Sequence, residues 1–278
     1  MRVAFVGFGE DAAAFGAALA ARGAQVSACD VRAEKRAAAE RLGISFGELP
    51  EALRGAHYVF STVTTSVARE AAEQCVRHLR PGQTYVDLNA TSPERKKQIG
   101  DSIAPSGAAF VEGALLGAVG VTGANTEILL GGPHARRAES ELAGELKLNA
   151  RFYSEEIGKA SMFKMLRSVF SKGMEALLIE FLAAGERAGI RDDLWTEVKA
   201  LFATQPFEKV ALNWVRSHGG AHARRYEEMK QVLGVMHELG VEPTITRATE
   251  AFFRRSGGLG LAPAQSADEV VRVFNEKL

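Results

Sequence analysis

The feature that most constrains the fold is the glycine-containing loop VGFGEDA, at residues 6–12. Gly7 and Gly9 follow a short apolar run and precede an Ala-rich helical stretch. In a strand–loop–helix unit of this kind, the first glycine permits a tight turn and the second lets the backbone approach a pyrophosphate. The third position needs only a small side chain, so Ala12 is acceptable there. The loop therefore predicts a dinucleotide at a helix N-terminus, the alternative being a tight structural corner.

Short apolar runs alternate with helical stretches through the first half of the chain, which is typical of a parallel sheet with crossover helices. We expect strands at 2–7, 25–29, 57–61, 84–88, 109–112 and 126–131, with helices near 11–22, 33–42, 66–79 and 93–104. Helices alone are expected afterwards, at 159–188, 192–203, 206–217, 221–239 and 243–255. We therefore predict an α/β fold, with a Rossmann-type doubly wound parallel sheet in residues 1–156 and an all-α domain in residues 157–278.

Charge and cysteine content exclude several classes of protein. The chain has 34 acidic and 34 basic residues, so it offers no broad positive field to a nucleic acid or an anionic membrane. It contains no run of 18 uncharged apolar residues and no long apolar segment after Met1, so we expect neither a membrane span nor export. Cys29 and Cys75 lack the spacing of a metal or redox motif, which predicts no metal site and a reducing, cytoplasmic setting.

Asp30 strengthens the dinucleotide prediction. It ends the second predicted strand, near the offset of roughly 20 residues at which an acid binds the adenosine ribose hydroxyls. A carboxylate repels a ribose 2′-phosphate, which favours NAD, whereas Arg32, Lys35 and Arg36 leave NADP possible unless they only cap a solvated helix. The predicted cofactor contacts are Gly7, Phe8, Gly9, Glu10, Ala12, Asp30, Val31, Arg32, Thr62, Val63, Thr64 and Asn89.

Two acids follow the second glycine of the loop. A helix N-terminus tolerates acids in its first turn, so we expect Glu10 and Asp11 to cap the helix and point outward. At that position their charge should weaken the affinity for pyrophosphate.

A polar stripe marks the first helix of the second half. Ser161, Lys164, Ser168, Ser171 and Glu175 are three or four residues apart and share one face, while apolar residues around them predict a helix buried over much of its circumference. The simplest interpretation is a solvated stripe. Short hydroxyls around one lysine instead favour a partly buried polar cleft, where a lysine can act as a general acid or base or polarise a carbonyl.

With these motifs the chain resembles the β-hydroxyacid dehydrogenase and 6-phosphogluconate dehydrogenase superfamily over essentially its whole length. The glycine loop matches, DLNATSP at 87–93 is similar to the superfamily's Asp-x-Ser-Thr-x-x-Pro segment near the nicotinamide, and IGKASMFK at 157–164 is similar to its catalytic motif. The resemblance implies a Rossmann domain, homodimers formed through the helical domain, and oxidation of a 3-hydroxy acid with NAD or NADP. It makes Lys164 the predicted general acid or base, with Ser168 and Asn89 orienting substrate or nicotinamide.

The substrate motif departs from the superfamily pattern. In EGALLGA, at 112–118, Glu112 stands for an Asp and Leu116 for the Ser that binds carboxylate, and Ser168 stands for an Asn. A different anion site could involve Arg224 and Arg225, unless these pair with surface glutamates. The predicted substrate contacts are Glu112, Leu116, Gly117, Lys164, Ser168, Lys172, Arg224 and Arg225. A subgroup with the patterns GKAS..K...S..KG and HARR..EM is the most similar.

Three functions remain open from the sequence. The first is an NAD(P)-dependent dehydrogenase that interconverts a small anionic hydroxy acid, or a related polar alcohol, with its carbonyl form. The second is an imine reductase that reduces a C=N bond, although such enzymes generally lack the lysine, so Lys164 argues against it. The third is a non-catalytic protein that senses a dinucleotide or metabolite, which the altered substrate motif favours.

Overall fold

The structure is a computed structural model that describes residues 1–277. The chain divides into two compact units, the first running from Met1 to Ser168 and the second beginning at Val169. The domain boundary predicted after residue 156 stays a prediction. None of the helices in residues 1–277 combines the length and the apolar character needed to cross a bilayer.

An eight-stranded sheet with the order β3-β2-β1-β4-β5-β6-β7-β8 forms the centre of the first unit. Its strands are β1 (Arg2–Val6), β2 (Gln25–Cys29), β3 (Ser45–Phe46), β4 (Tyr58–Ser61), β5 (Thr84–Asp87), β6 (Ala109–Leu116), β7 (Glu127–Gly131) and β8 (Ala150–Ser154). All neighbouring strands are parallel except β6 and β7, which are antiparallel. The predicted doubly wound sheet is confirmed with this one exception.

The sheet is covered by helices on both faces, which explains why its central strands are continuous apolar runs. The helices of this unit are α1 (Glu10–Ala21), α2 (Lys35–Arg41), α3 (Leu49–Leu53), α4 (Ala68–Val76), α5 (Pro93–Ile103), α6 (Val119–Thr122) and α7 (Ala135–Gly144). Phe15 and Leu19 of α1 belong to the core on one face, and Tyr85 and Ile99 belong to the core on the other. This packing fixes the N-terminus of α1 at the end of β1.

The remaining helices are α8 (Lys159–Ala188), α9 (Arg191–Thr204), α10 (Phe207–Glu238), α11 (Thr244–Ser256) and α12 (Ala267–Lys277). The predicted break between residues 217 and 221 is wrong, because α10 continues through Gly219 and Gly220. A Cβ atom at Gly219 would collide with the carbonyl oxygen of Ala262, and one at Gly220 would lie 3.4 Å from Pro263. These glycines allow the loop after α11 to approach the helix closely, and they do not end it.

Helix α8 is more exposed than its apolar sequence predicted. Leu166, Val169 and Phe170 are 63%, 73% and 56% exposed, and Met162 and Met165 are also exposed. Apolar periodicity indicates that a face will be covered, but it does not say whether the same chain covers it. The prediction that this helix is buried over much of its circumference is therefore wrong for the single chain.

Candidate functional site

The glycine loop has the geometry that a pyrophosphate needs. Gly7 has a φ of +85°, and a Cβ atom there would lie 2.8 Å from the Thr62 carbonyl oxygen and from a methyl group of Val63. The Thr62 hydroxyl donates to the Gly7 carbonyl oxygen at 2.8 Å. Nothing lies within 4 Å of a Cβ atom placed on Gly9, and Ala12 is fully buried. The loop thus leaves an open surface at the N-terminus of α1, which fits a dinucleotide phosphate.

Asp30 lies at the end of β2 with its side chain only 5% exposed. It accepts hydrogen bonds from the backbone N–H groups of Phe8 at 2.7 Å and Arg32 at 2.9 Å, and from the Arg32 guanidinium at 3.0 Å. Burial raises the pKa of Asp30, but the hydrogen bonds from Arg32 and Phe8 outweigh it, so the pKa is lowered overall. Because Arg32 offsets the negative charge, the electrostatic argument for NAD over NADP loses its force. Val31 beside them is fully exposed.

The two acids of the first turn of α1 behave differently. Neither caps the helix through its side chain. Glu10 is exposed and its carboxylate lies against Gly120, whereas Asp11 is half-buried. Burial raises the pKa of Asp11, Glu10 raises it further, and the ammonium of Lys164 lowers it in part. The prediction that both acids point outward is wrong for Asp11, which lies near Lys164.

A buried polar network lies where β4, β5 and β6 end. Asn89 Nδ2 donates to Ser61 Oγ at 2.9 Å and to Asp87 Oδ1. Lys96, which is 1% exposed, lies with its Nζ 2.9 Å from Asp87 Oδ2 and donates to the backbone oxygens of Asp87 at 2.7 Å and Gly113 at 3.3 Å. Sequence reasoning missed Lys96, because the stretch ERKKQ is typical of a solvated helix face.

Besides Asp87 Oδ2, whose charge is paired with Lys96, two buried polar atoms of the DLNATSP segment have no hydrogen-bond partner within residues 1–277: Asn89 Oδ1 and Thr91 Oγ1. Both residues are buried, and leaving a buried acceptor unpaired costs about 1–3 kcal/mol. The amide nitrogen of Asn89 is committed to Ser61 and Asp87, so its oxygen remains free to accept. Such an acceptor fits the predicted role of Asn89 in orienting the carboxamide of a nicotinamide or a substrate donor. Thr64, also predicted to contact cofactor, is exposed on the loop after β4.

Glu112 anchors the start of helix α8. Its Oε1 accepts from the backbone N–H groups of Gly158 at 2.8 Å and Ala160 at 2.9 Å, and its Oε2 accepts from Ser161 Oγ at 2.6 Å. Glu112 is fully buried on β6. A carboxylate at a helix N-terminus satisfies free N–H groups and interacts favourably with the helix dipole. The structure thus gives Glu112 a different role from the predicted contact with substrate: it fixes the helix that carries Lys164.

Lys164 follows Ala160 by one turn of α8 and is half-buried. Burial lowers its pKa, the ammonium of Lys96 lowers it further, and Asp11 raises it in part. The Ser168 hydroxyl donates to the Lys164 carbonyl oxygen at 2.9 Å, so only its lone pairs are free for a ligand. Further along the stripe, Ser171 and Glu175 are exposed, as the solvated interpretation expects.

Leu116, the residue that replaces the superfamily's carboxylate-binding serine, has apolar surroundings. Leu116 is partly buried and packs with Phe163 against a small cluster that contains Ala114, Leu129 and Ala160. Gly117 is exposed, with a φ of +142°. Leu116 therefore has hydrocarbon neighbours at the position where the superfamily motif has a hydroxyl.

The other predicted substrate residues lie in the second unit, with partners from that unit. Lys172 is exposed, and its Nζ lies 3.9 Å from Glu175. Arg224 pairs with Glu228, as the surface alternative predicted. Arg225 donates to Ser217 Oγ at 2.7 Å instead of pairing with a glutamate. Each of these three side chains is therefore engaged within the second unit, and its predicted contact with substrate stays a prediction.

Comparisons with known proteins agree with this geometry. Residues 2–142, about half of the chain, match the family described as the NAD binding domain of 6-phosphogluconate dehydrogenase. Residues 186–256 match a domain of unknown function, DUF1932. The conserved protein MTH1747, whose structure is described as similar to 3-hydroxyacid dehydrogenases, is 31% identical, with 92% of this chain and 96% of that chain covered and a TM-score of 0.63.

Imine reductases share the fold at lower identity. The enzyme from Streptomyces aurantiacus is 19% identical, with a TM-score of 0.81 over 99% of both chains. The enzyme from Myxococcus stipitatus has been solved with NADP⁺, at 17% identity and a TM-score of 0.80 over 99% of this chain and 100% of that one, and a variant has been solved with NAD⁺. The chain therefore has an NAD(P)-binding, dehydrogenase-like fold, and it belongs to the family defined by the NAD-binding domain of 6-phosphogluconate dehydrogenase.

Proposed function

We propose that the protein is an NAD(P)-dependent dehydrogenase that interconverts a small hydroxy acid, or a related polar alcohol, with its carbonyl form. The observation that carries this proposal is the environment of Lys164. It is half-buried, its pKa is lowered by burial and by Lys96, and it lies near Asp11 of the glycine loop. A lysine with a lowered pKa beside a dinucleotide loop suits proton transfer that accompanies hydride transfer.

In the oxidative direction, the neutral amine of Lys164 takes the proton of the substrate hydroxyl, and in the reverse direction its ammonium returns that proton to the carbonyl oxygen. A bound nicotinamide supplies the acceptor for the hydride that leaves the carbon. Asn89 orients the reacting groups through its free Oδ1, and Glu112 holds the first turn of α8 so that Lys164 stays in place.

We propose that the cofactor is NAD or NADP. The open surface at Gly9 and the carboxylate of Asp30 support a dinucleotide of either kind. The Asp30–Arg32 pair suits both, because Asp30 can accept from ribose hydroxyls and a released Arg32 can bind a 2′-phosphate. We also propose that the enzyme works in the reducing cytoplasm, a setting compatible with the free, buried thiols of Cys29 and Cys75.

Reduction of a C=N bond is the second candidate. It is favoured by the half-buried carboxyl of Asp11 near the loop and by the apolar surroundings of Leu116, which suit a cationic or neutral substrate better than a carboxylate. Lys164 speaks against it, since the resemblance implies that imine reductases generally lack this lysine.

Turnover distinguishes these candidates. NADH and NADPH binding is measured first by fluorescence titration, and the protein is then assayed with hydroxy acids, polar alcohols, and ketones mixed with amines. Oxidation of a hydroxy compound supports the dehydrogenase, and activity restricted to ketone–amine mixtures supports the imine reductase. Tight cofactor binding without turnover of any substrate would instead identify a sensor.

The role of Lys164 has its own test. Lys164→Ala should lower kcat by about 10²–10⁴-fold while NADH still binds, because this is the usual contribution of a general acid or base. Lys159→Ala is the matched control, since Lys159 is an exposed lysine in the first turn of the same helix. If Lys164→Ala stays within about threefold of the wild type, proton transfer by Lys164 is wrong.

We further propose that the protein forms a homodimer through its helical domain. The exposed apolar side chains of α8, Leu166, Val169 and Phe170 among them, support a second copy as the partner. Val169→Asp should convert the dimer to a monomer in light scattering, whereas Ser171→Asp, on the exposed polar stripe, should not. A wild-type protein that is monomeric at high micromolar concentration would contradict the proposal.

A further inference from the structure

Lys96 is a buried charge that the proposed mechanism does not use. Its Nζ is 2.9 Å from Asp87 Oδ2, 2.7 Å from the Asp87 carbonyl oxygen and 3.3 Å from the Gly113 carbonyl oxygen. Lys96 donates hydrogen bonds to the two carbonyl oxygens and forms an ion pair with the Asp87 carboxylate. These contacts fix its positive charge in place.

The location of this charge is informative. Lys96 belongs to α5, but its ammonium lies at the carboxyl ends of β5 and β6, the side on which doubly wound folds bind ligands. Burying an ion pair removes both charges from water, and an apolar pair of similar volume often gives equal stability. Core stability alone therefore does not require a Lys–Asp pair at this position.

Helix α8 begins against the same elements. A Cβ atom on Gly158 would lie 3.2 Å from Pro93, the first residue of α5, and Glu112 of β6 binds the first N–H groups of α8. Lys96 follows Pro93 by one turn, so α5 and α8 place two lysines on one side of the first unit. A nearby like charge disfavours a second ammonium.

The charged groups around Lys164 come from four elements. Lys96 of α5 disfavours its ammonium, and Asp11 of α1, next to Glu10, favours it. Glu112 of β6 is occupied by the N–H groups of α8, and Asp87 of β5 is paired with Lys96. Lys96 and Asp11 are therefore the two groups that act on Lys164 with opposite sign.

We propose that Lys96 is a positioning residue of the candidate site: Asp87 and two backbone oxygens hold its charge where it keeps Lys164 ready to accept a proton, and Asp11 opposes it. In the proposed reaction, the substrate O–H bond breaks and an N–H bond forms on Lys164. Lys96 makes the resulting ammonium a better acid, so the proton is released readily, while Asp11 prevents the amine from becoming too weak a base. The catalytic meaning rests on the proposed function, but the electrostatic effect does not.

The test measures the protonation of Lys164 without any substrate. Trace acetic anhydride acetylates only uncharged amines, so the extent of Lys164 acetylation against pH, measured by peptide mass spectrometry, gives the midpoint of its titration. Exposed Lys172 serves as the internal reference for reagent reactivity. The variants are Lys96→Met combined with Asp87→Asn, which removes both charges of the pair, and Asp11→Asn. Lys97→Met is the matched control, because Lys97 is an exposed lysine of the same helix.

The double variant should raise the Lys164 midpoint above that of the wild type, and Asp11→Asn should lower it. Lys97→Met should leave it unchanged, and Lys96→Arg, which keeps the charge, should stay close to the wild type. Unchanged midpoints in the double variant or in Asp11→Asn would overturn the proposal. If thermal melting shows that the double variant does not fold, Asp11→Asn decides, and a midpoint that does not fall overturns it.

Activity separates this inference from the proposed function. If the protein is a dehydrogenase, the acid limb of kcat/KM against pH should shift in the same directions as the labelling midpoints. Shifted midpoints in a protein without turnover would leave the electrostatic inference standing and remove the proposed function. If the midpoints do not shift in an enzyme that needs Lys164 for turnover, the electrostatic inference is wrong and the proposed function stands.

Discussion

Replacing Glu112 tests whether the position of the candidate catalytic lysine depends on the carboxylate that binds the start of α8. Glu112→Ala removes three hydrogen bonds, of 2.8, 2.9 and 2.6 Å, and leaves the N–H groups of Gly158 and Ala160 without an acceptor in a buried place. Each unsatisfied buried donor costs about 1–3 kcal/mol. The cavity left by the side chain lowers stability further, whereas removal of a buried charge recovers its desolvation cost. We expect the free energy of unfolding to fall by about 3–5 kcal/mol.

Glu112→Gln is the conservative comparison. A glutamine keeps one oxygen for the two backbone N–H groups and loses the charge, so the bonds change from charge-assisted to neutral and the interaction with the helix dipole disappears. We expect a loss of about 1–2 kcal/mol, since charged hydrogen bonds contribute roughly twice as much as neutral ones. Glu94→Gln, at an exposed glutamate of α5, should stay within about 0.5 kcal/mol of the wild type.

The assay is urea unfolding, with hydrogen exchange of the Gly158–Ser161 amides as a local readout. Exchange separates this region from the rest of a chain that has two units, for which a single unfolding free energy is not defined in advance. Faster exchange at the start of α8, stronger in the alanine than in the glutamine variant, is the expected result. If Glu112→Ala costs under about 1 kcal/mol and leaves these amides protected, the anchoring role is refuted.

Four further substitutions test the cofactor and substrate ends of the site. Gly7→Ala should destabilise the protein, because the φ of +85° and the 2.8 Å approach to Thr62 exclude a Cβ atom. Gly9→Ala should melt like the wild type yet bind NADH weakly. Equal melting temperatures of the Gly7→Ala and Gly9→Ala variants would contradict this. Arg32→Ala should weaken NADPH binding more than NADH binding in fluorescence titrations. The pKa of Asp30 is lower in the folded than in the unfolded state, so ionised Asp30 stabilises the fold above its unfolded pKa. This stabilisation is lost as the pH falls through the folded-state pKa. Arg32→Ala should therefore make the melting temperature depend less on pH in the acid range. Leu116→Ser should raise the kcat/KM of hydroxy acids relative to uncharged alcohols by about 10-fold or more, the worth of one hydrogen bond to a charge, and an unchanged ratio would place the carboxylate elsewhere.

The architecture was predictable because short apolar runs alternate regularly with helical stretches. The strands that were not predicted are those whose sequence lacks a clear apolar run. β3 has only two residues. β8 lies at the sheet edge and alternates buried and exposed positions, with Arg151 among them, so it lacks the apolar run of a central strand. The antiparallel direction of β7 depends on how the chain returns after β6, which hydrophobic spacing does not encode.

Residues of the site were predictable where chemistry requires a particular residue type at a fixed spacing. Gly7, Asp30 and Lys164 meet that condition. Lys96 and Asp11 do not, because each stands among other charged residues, where a solvated face is the ordinary interpretation. Their burial depends on tertiary packing: α5 turns Lys96 beneath the strand ends, and the first turn of α1 directs Asp11 toward α8.

The two halves of the candidate site differ in how closely they keep the superfamily pattern. The half that would move the proton keeps its lysine and surrounds it with charges of both signs, whereas the half that would bind the carboxylate has exchanged a hydroxyl for Leu116 in an apolar cluster. Proton transfer demands a specific group with a specific pKa, while recognition of the remainder of a substrate can be rebuilt from other side chains. Compounds with an apolar or uncharged group near the reacting carbon should be assayed before simple 3-hydroxy acids.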